Sequence, residues 1–535
     1  MRKRLLYALA FCVAVALAAG AVLSGRAPGA RNVADATPVN RLPHIRPDYA
    51  GCVIPPNIAP LNFLVEEPGA GYHVRISSKR GEDIEISGST PSIVIPLRPW
   101  RKLLAANRGE ELHFDVCAMP QGGRWQRFES ISNTIAKEEI DGYLVYRLIP
   151  PLYNNYSEMS ICQRNLQDYD ESVLLDNNDF GVSHCMNCHT FLNNKSDSML
   201  LQVRGPNQGM LLERKGVLTK VDMRTKSNSA PGGFASWHPS GRVVAFSVNK
   251  VRQFFHHART EVRDGIDMGS YLELFWVDTN TVTSNPKIAQ PGQLETWPAW
   301  SSDGRYLYFC QAPRPWTDFD QVPPPNYDKV KYDLMRIGFD VETGAWGEVE
   351  TVLSSKDTGL SISLPRFSPD GRFLVFCMSD YSTFPTFQPS SDLYLMDLKT
   401  GRYGRMECNS DQAESWHCWS SNSRWLVFTS KRGNGLFGRP YFSYIDENGK
   451  AQKPFILPQR NPAFYDSFAK LYQLPELIIE PVPVSEQEFA RAILAPGALT
   501  SQLAVTSATP KAETGPTVPM YGPSGQTDAG GESGH

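Results

Sequence analysis

Hydrophobic and polar positions alternate with period two along much of the chain, in short runs closed by Gly, Pro, Asp and Asn. That is the pattern of half-buried strands joined by tight turns. One run recurs four times: Trp237-His-Pro-Ser-Gly-Arg-Val-Val-Ala-Phe246, Trp300-Ser-Ser-Asp-Gly-Arg-Tyr-Leu-Tyr-Phe309, Phe367-Ser-Pro-Asp-Gly-Arg-Phe-Leu-Val-Phe376 and Trp419-Ser-Ser-Asn-Ser-Arg-Trp-Leu-Val-Phe428. Each copy is an aromatic residue, a polar turn, a basic residue and an alternating apolar strand. Glycine supplies the positive φ of the tight turn in three copies, and the fourth, with Ser423, must turn without it. A second apolar strand follows each copy, at 272–278, 334–340, 393–397 and 441–446. The leading aromatics are 63, 67 and 52 residues apart. A four-stranded propeller blade needs about 40–50 residues, so these units carry extra loop. Two further strand sets precede them, 142–150 with 159–166 and 199–203 with 209–222.

The four copies resemble the TolB-type propeller repeat, with its aromatic-Ser-Pro-Asp-Gly-Arg core. The resemblance implies an all-β chain whose main body, residues 140–475, closes as a six-bladed β-propeller. Before it, residues 51–136 hold alternating strands at 62–66, 72–77, 92–96 and 111–118, which predict a small β-sandwich of immunoglobulin or fibronectin type. At the N-terminus, Arg2, Lys3 and Arg4 precede an apolar run from Leu5 to Leu23. Residues 1–30 therefore read as a signal peptide or an N-terminal membrane anchor. Either one places the mature chain in the periplasm or otherwise outside the cytoplasm, tied to the inner membrane if the segment stays uncleaved. Residues 485–535 turn to Ala, Pro, Thr, Ser and Gly and are expected to be a disordered tail.

Composition narrows the function classes. The 535 residues are 41% hydrophobic, 20% charged and 11% aromatic, with a formal net charge of -3. No polybasic run follows the first four residues, so nothing points to nucleic acid. No Ser-His-Asp arrangement, P-loop or dinucleotide fingerprint stands out. Of 10 cysteines, setting aside Cys12 in the leader and the pair Cys185/Cys188 leaves an odd number, which excludes a fully paired disulfide framework. Cys310 and Cys377 end equivalent strands and read as small buried hydrophobes.

One motif carries chemistry. Cys185-Met-Asn-Cys188-His189 fits covalent attachment of haem c: two thiols add to the two vinyl groups, and the next histidine ligates the iron. A redox-active Cys-x-x-Cys would need a thioredoxin-like setting, a zinc site would need a second ligand pair, and a purely structural pair is the third alternative. The motif is expected in a loop, residues 176–197, between two blades. The chain also resembles a group of TolB-like propeller proteins that carry such a motif there. The resemblance runs through Cys185–Phe191, Met199-Leu-Leu, Trp237-His-Pro-Ser-Gly and the stretch Asn249-Lys-Val-Arg-Gln253-Phe-Phe-His256. His256 and His257 lie in a polar loop, Val251–Gly269, inserted between the paired strands of a repeat, and that last stretch points to His256 as second iron ligand opposite His189, with His257, Met199 and Met210 as weaker candidates. His238 and His417 read as satisfied structural histidines. The expected function is that of an extracytoplasmic monohaem c-type cytochrome-like protein, transferring electrons or sensing redox state, with a redox partner docked on a propeller face. The alternative is a TolB-like module binding protein or polysaccharide, with Cys185 and Cys188 structural.

Overall fold

A computed structural model describes residues 33–151, 158–180, 185–204, 207–224, 232–258, 261–495 and 497–503. The leader at 1–30 and the stretch 504–535 lie outside the described residues. The described residues divide into two compact units: one within 33–137 with 458–467, the other within 138–457 with 468–503.

The first unit is the expected sandwich, begun earlier than residue 51. A seven-stranded sheet is built around Gly71–Ser78 and Glu111–Met119, and a three-stranded sheet joins Ile45–Arg46, Phe63–Val65 and Ser92–Ile93. The sheets meet through Phe63 and Phe114, whose ring centroids are 6.1 Å apart. Strand alternation did not reveal the helix Leu97–Ala106, which buries Trp100, Leu103 and Leu104. The Trp100 indole donates to the Ile58 carbonyl at 2.9 Å. Residues 458–467 join this unit, where the Asn62 amide donates to the carbonyls of Gln459 and Arg460.

The second unit is a six-bladed β-propeller. Blade 1 contributes Tyr143–Ile149, Ser160–Asn165 and Glu171–Asp176, and its innermost strand, Leu471–Ile478, comes from the far end of the chain. The innermost strands of blades 2 to 6 are Cys185–Phe191, Gly233–Trp237, Gln293–Trp300, Ser361–Phe367 and Glu414–Trp419. Trp237, Trp300, Phe367 and Trp419 each end such a strand and pair in one register, with Val244, Leu307, Leu374 and Leu426. Between neighbouring blades lie apolar layers such as Leu274, Leu307, Phe309 and Ile337. The turn without glycine is made by Ser423 at φ 62, the conformation Gly241, Gly304 and Gly371 adopt in the other copies.

The tail expected from residue 485 is ordered through residue 503. Ser485 and Glu488 form a capping box on the helix Glu486–Leu494, which buries Phe489 and Ile493. Leu499–Thr500 then adds to the outer edge of blade 2 and Gln502–Leu503 to that of blade 3. The capping box and the i, i+4 spacing of Phe489 and Ile493 are helix signals that the Ala/Pro-rich composition of the segment masked.

Closure by a strand from the far end makes blade 1 depend on residues 471–478. A chain ending before Leu471 is expected to lose cooperative thermal unfolding of the propeller, because the apolar faces of blades 1 and 6 then lie open. A chain ending after Leu503 should melt cooperatively. Near-UV circular dichroism during heating distinguishes the two.

Candidate functional site: the central channel at blade 2

Six innermost strands crowd one axis, and all six solve the crowding alike. Cys188, Phe234, Trp297, Leu364, Trp416 and Leu474 have positive φ, between 41° and 54°. At each, the pairing with the next strand slips by a β-bulge. Left-handed backbone at a non-glycine residue costs of order 1–3 kcal/mol. The ring of six persists because it turns each side chain into the channel, where the six line one cavity. Phe234 and Trp297 lie with ring centroids 3.7 Å apart, and Trp297 stands edge-on to Trp416 at 5.7 Å.

The motif is thus not a loop. Cys185–Phe191 is the innermost strand of blade 2, and Cys188 is its bulge residue. Period-two alternation hides such a strand, because the bulge breaks its phase at Cys188. Where five blades place Phe, Trp or Leu, blade 2 places a thiol. The smaller side chain leaves a gap, and Cys188 also lines a second cavity, between blades 2 and 3, with Leu200, Gln202, Met210 and Phe246. Cys188 is 7% exposed and unpaired, and burial raises its thiol pKa. Along the extended strand the Cα atoms of Cys185 and Cys188 are about 9–10 Å apart, beyond disulfide reach.

His189 comes directly after the bulge and lines the channel cavity beside Cys188. It is 2% exposed, and neither ring nitrogen has a hydrogen-bond partner. Burial, reinforced by the Arg147 charge, lowers its pKa to about 3. The backbone of Leu474 and Val145 faces the ring and favours its protonated form, as Leu364 and Val375 do for His417, but at His189 neither reaches hydrogen-bond geometry. The propeller supplies its own comparison. His417 holds the same register in blade 6, and its Nε2 lies 3.0 Å from the Val375 carbonyl of the preceding blade. His238 is satisfied too, by Ser240 at 2.7 Å and the Gly304 carbonyl at 3.0 Å. Among the described residues, His189 is the one buried histidine with both nitrogens unpartnered. A neutral imidazole and an unpaired thiol on one cavity match in kind an iron ligand and one thioether donor of haem c, while the cavity as it stands is only water-sized.

The structure does not bring His256 to His189. His256 lies near the tip of a long hairpin, Val243–Phe255 with Arg263–Trp276, that leaves blade 3 beyond the start of its innermost strand. Its Nε2 meets Asp264 Oδ2 at 3.1 Å, and the same carboxylate accepts from Tyr381 at 2.6 Å and Gln388 at 3.1 Å. His189 lies past the bulge, toward the opposite end of the strand, and shares none of these partners. Sequence reasoning placed His256 in a polar loop. Instead, the hairpin bonds to blade 4 through the Trp316 indole on the Met268 carbonyl, to blade 5 through Tyr381, and to blade 6 through a buried ion pair of Glu261 with Lys431. Met199 and Met210 are buried in core clusters, at 1% and 6% exposure.

No family model and no curated protein matches the chain. Solved structures similar to it include an apocarotenoid oxygenase mutant from Synechocystis, with 11% identity and a TM-score of 0.36, covering 82% of this chain and 97% of that one. Oligogalacturonate lyase from Vibrio parahaemolyticus matches with 14% identity and a TM-score of 0.32, over 72% of this chain and 100% of that one. The Dos1 propeller matches with 13% identity and a TM-score of 0.31, over 51% and 61%. At such TM-scores the propeller rests on its own strand pairing.

Two outcomes are expected of the buried charges. Lys431→Met leaves buried Glu261 with Arg263 Nε, at 3.8 Å, as its remaining cation and should cost on the order of 3 kcal/mol of unfolding free energy in urea, part of it regained in the double variant with Glu261→Gln. His417, whose pKa burial lowers to about 3, contributes stability that is present above the ordinary value of 6.5 and is lost as pH falls toward 3. As pH falls from 6 to 4 the unfolding free energy should therefore drop by about 1.4 kcal/mol per pH unit on its account, a slope that His417→Phe removes.

Proposed function

We propose that the chain is an extracytoplasmic c-type cytochrome-like propeller of TolB type, carrying one covalent haem at Cys185-Met-Asn-Cys188-His189 and serving electron transfer or redox sensing. The observation that carries this reading is His189: a fully buried imidazole without a partner, beside an unpaired thiol, in the register where His417 is satisfied. His189 would hold the iron, and Cys185 and Cys188 would form the two thioethers. When bound, the group supplies a one-electron couple. The chain's own contribution is the wall of the cavity: Phe234, Trp297, Leu364, Trp416 and Leu474, with Arg366 the charged group on the same lining. His256 is committed to Asp264 and is not among the groups that would hold the iron in this arrangement. An export segment at 1–30 agrees with haem attachment outside the cytoplasm.

A second reading has its own support. Cys188 and His189 occupy repeat positions that other blades fill with apolar residues and with Ala235, Pro298, Pro365 or His417, so both residues also make sense as propeller core. On that reading the protein is a binding module whose thiols are structural. Expression with a cytochrome c maturation system separates the two. The haem reading expects an intact mass increased by one haem and a Soret band, both lost in the Cys185→Ala/Cys188→Ala variant, which should still fold. A wild-type chain of unmodified mass from cells that mature other c-type cytochromes decides for the binding module.

A further inference from the structure

A groove of about 550 Å³ opens on blade 4, at the end of the propeller where the innermost strands finish. That volume lies in the range of small-molecule sites, about 300–1,000 Å³. The channel cavity at Cys188 and His189 has room for about 30 Å³, and the two share no lining residue. The groove runs between the turns 301–305 and 340–345 of blade 4, with His238 of blade 3 at its border.

The repeat shows what makes room there. Gly338 pairs with Tyr306, and the corresponding residues of blades 3, 5 and 6 are Trp276, Asp397 and Tyr444. Blade 4 omits the side chain, and its outer strand places a second glycine, Gly347, beside the first. Backbone conformation does not demand either glycine, since neither has a positive φ. A Cβ at Gly338 would meet Gly347 Cα at 3.8 Å and the Tyr306 ring at 4.0 Å, which are ordinary contacts. The pair leaves a floor of bare backbone. Half-buried Tyr306 and Trp346 line the groove with it. Arg336 covers the Tyr306 ring at 4.8 Å, and Phe339 backs the Trp346 indole with centroids 4.6 Å apart. Trp346 is therefore the aromatic wall. Asp340 and Arg305 are exposed on the same lining. Asp340 Oδ1 accepts from the N–H groups of Glu342 at 2.9 Å and Thr343 at 3.0 Å, and Arg305 Nε donates to Asp303 at 2.7 Å. Contacts from blade 3 fix the turn that carries Asp340 and Trp346: Arg242 with Glu342 at 2.8 Å, Lys287 with Glu348 at 2.7 Å, and Lys287 with the Gly347 carbonyl at 2.8 Å. The groove is preformed, which lowers the ordering cost of binding.

We propose that this groove binds a glycan of uncharged pyranose units, with a sugar's C–H face on Trp346 and its hydroxyls on Asp340 and Arg305. A pyranose ring has an apolar face of C–H groups and a rim of hydroxyls. An indole wall matches the face, a glycine floor lets a flat ring approach the backbone, and a carboxylate and a guanidinium each bond adjacent hydroxyls. Charge selects among sugars. Asp303 balances Arg305, so the Asp340 carboxylate is in excess and disfavours uronic acids and sulfated units. The site goes beyond the haem reading and does not need it.

Full-length wild type, Gly338→Leu, Trp346→Ala and Arg305→Gln are titrated calorimetrically with cellotriose, triacetylchitotriose and trigalacturonate, and their melting is compared. At least one of the two uncharged trisaccharides should bind saturably, and roughly tenfold or more tighter than trigalacturonate. Gly338→Leu fills the groove from its floor, and with Trp346→Ala it should weaken that binding roughly tenfold or more. Arg305→Gln, an exposed position, should weaken it at an unchanged melting temperature, which separates lost contacts from lost fold. Wild type expressed with and without the maturation system should bind alike, whether or not haem is found. Absence of saturable binding by both uncharged sugars, equal or tighter binding of trigalacturonate, or full binding by Gly338→Leu and Trp346→Ala overturns the site and leaves the haem reading as it stands.

Discussion

Six strands converging on one axis leave little room for their side chains, and everything in the propeller's interior answers to that crowding. The answer is the same in each blade: a left-handed residue, a slip in the ladder, and a side chain turned inward. Because the bulge is a backbone device, its side chain is free to vary, and the content of the channel is set by six independent choices. Five are bulky and apolar. The sixth is Cys188, which lines both the channel and the cleft between blades 2 and 3. The bulge also fixes the setting of the next residue along the strand. His189 and His417 share that position, so their different hydrogen bonding is informative.

Buried charge organises the end of the propeller at which the innermost strands begin. The blade 3 hairpin brings Asp264 to Tyr381 and Gln388 and Glu261 to Lys431, so polar groups are paired across blades as well as within them. Asp264 is saturated by its donors, although burial raises its pKa. Such contacts hold a long hairpin in one place, which apolar packing alone specifies less sharply.

The blades were legible because their signals are local. An aromatic residue, a Gly turn and an alternating strand succeed one another within ten positions, and turn chemistry leaves few other readings for Trp300–Phe309 or Phe367–Phe376. What escaped depends on partners far away in sequence. Cys185–Phe191 looked like a loop because its bulge breaks the alternation, and a bulge becomes visible only when the neighbouring strand is known. The hairpin carrying His256 looked like a free polar insertion because Tyr381, Gln388 and Lys431 lie more than a hundred residues downstream. Chemistry at Cys188 and His189 could be named from spacing.

The order in which the molecule can be assembled is set by where the hairpin and the closing strand come from. Residues 261–264 emerge from the ribosome long before Tyr381, Gln388 and Lys431, and Tyr143–Ile149 emerges more than three hundred residues before the strand that covers it. During synthesis the first three repeats therefore wait with an undocked arm until residue 431 is available and with an uncovered edge until residue 478 is. The fold is committed at its last step rather than its first, and a chain of this design stays open and threadable until nearly all of it has been made.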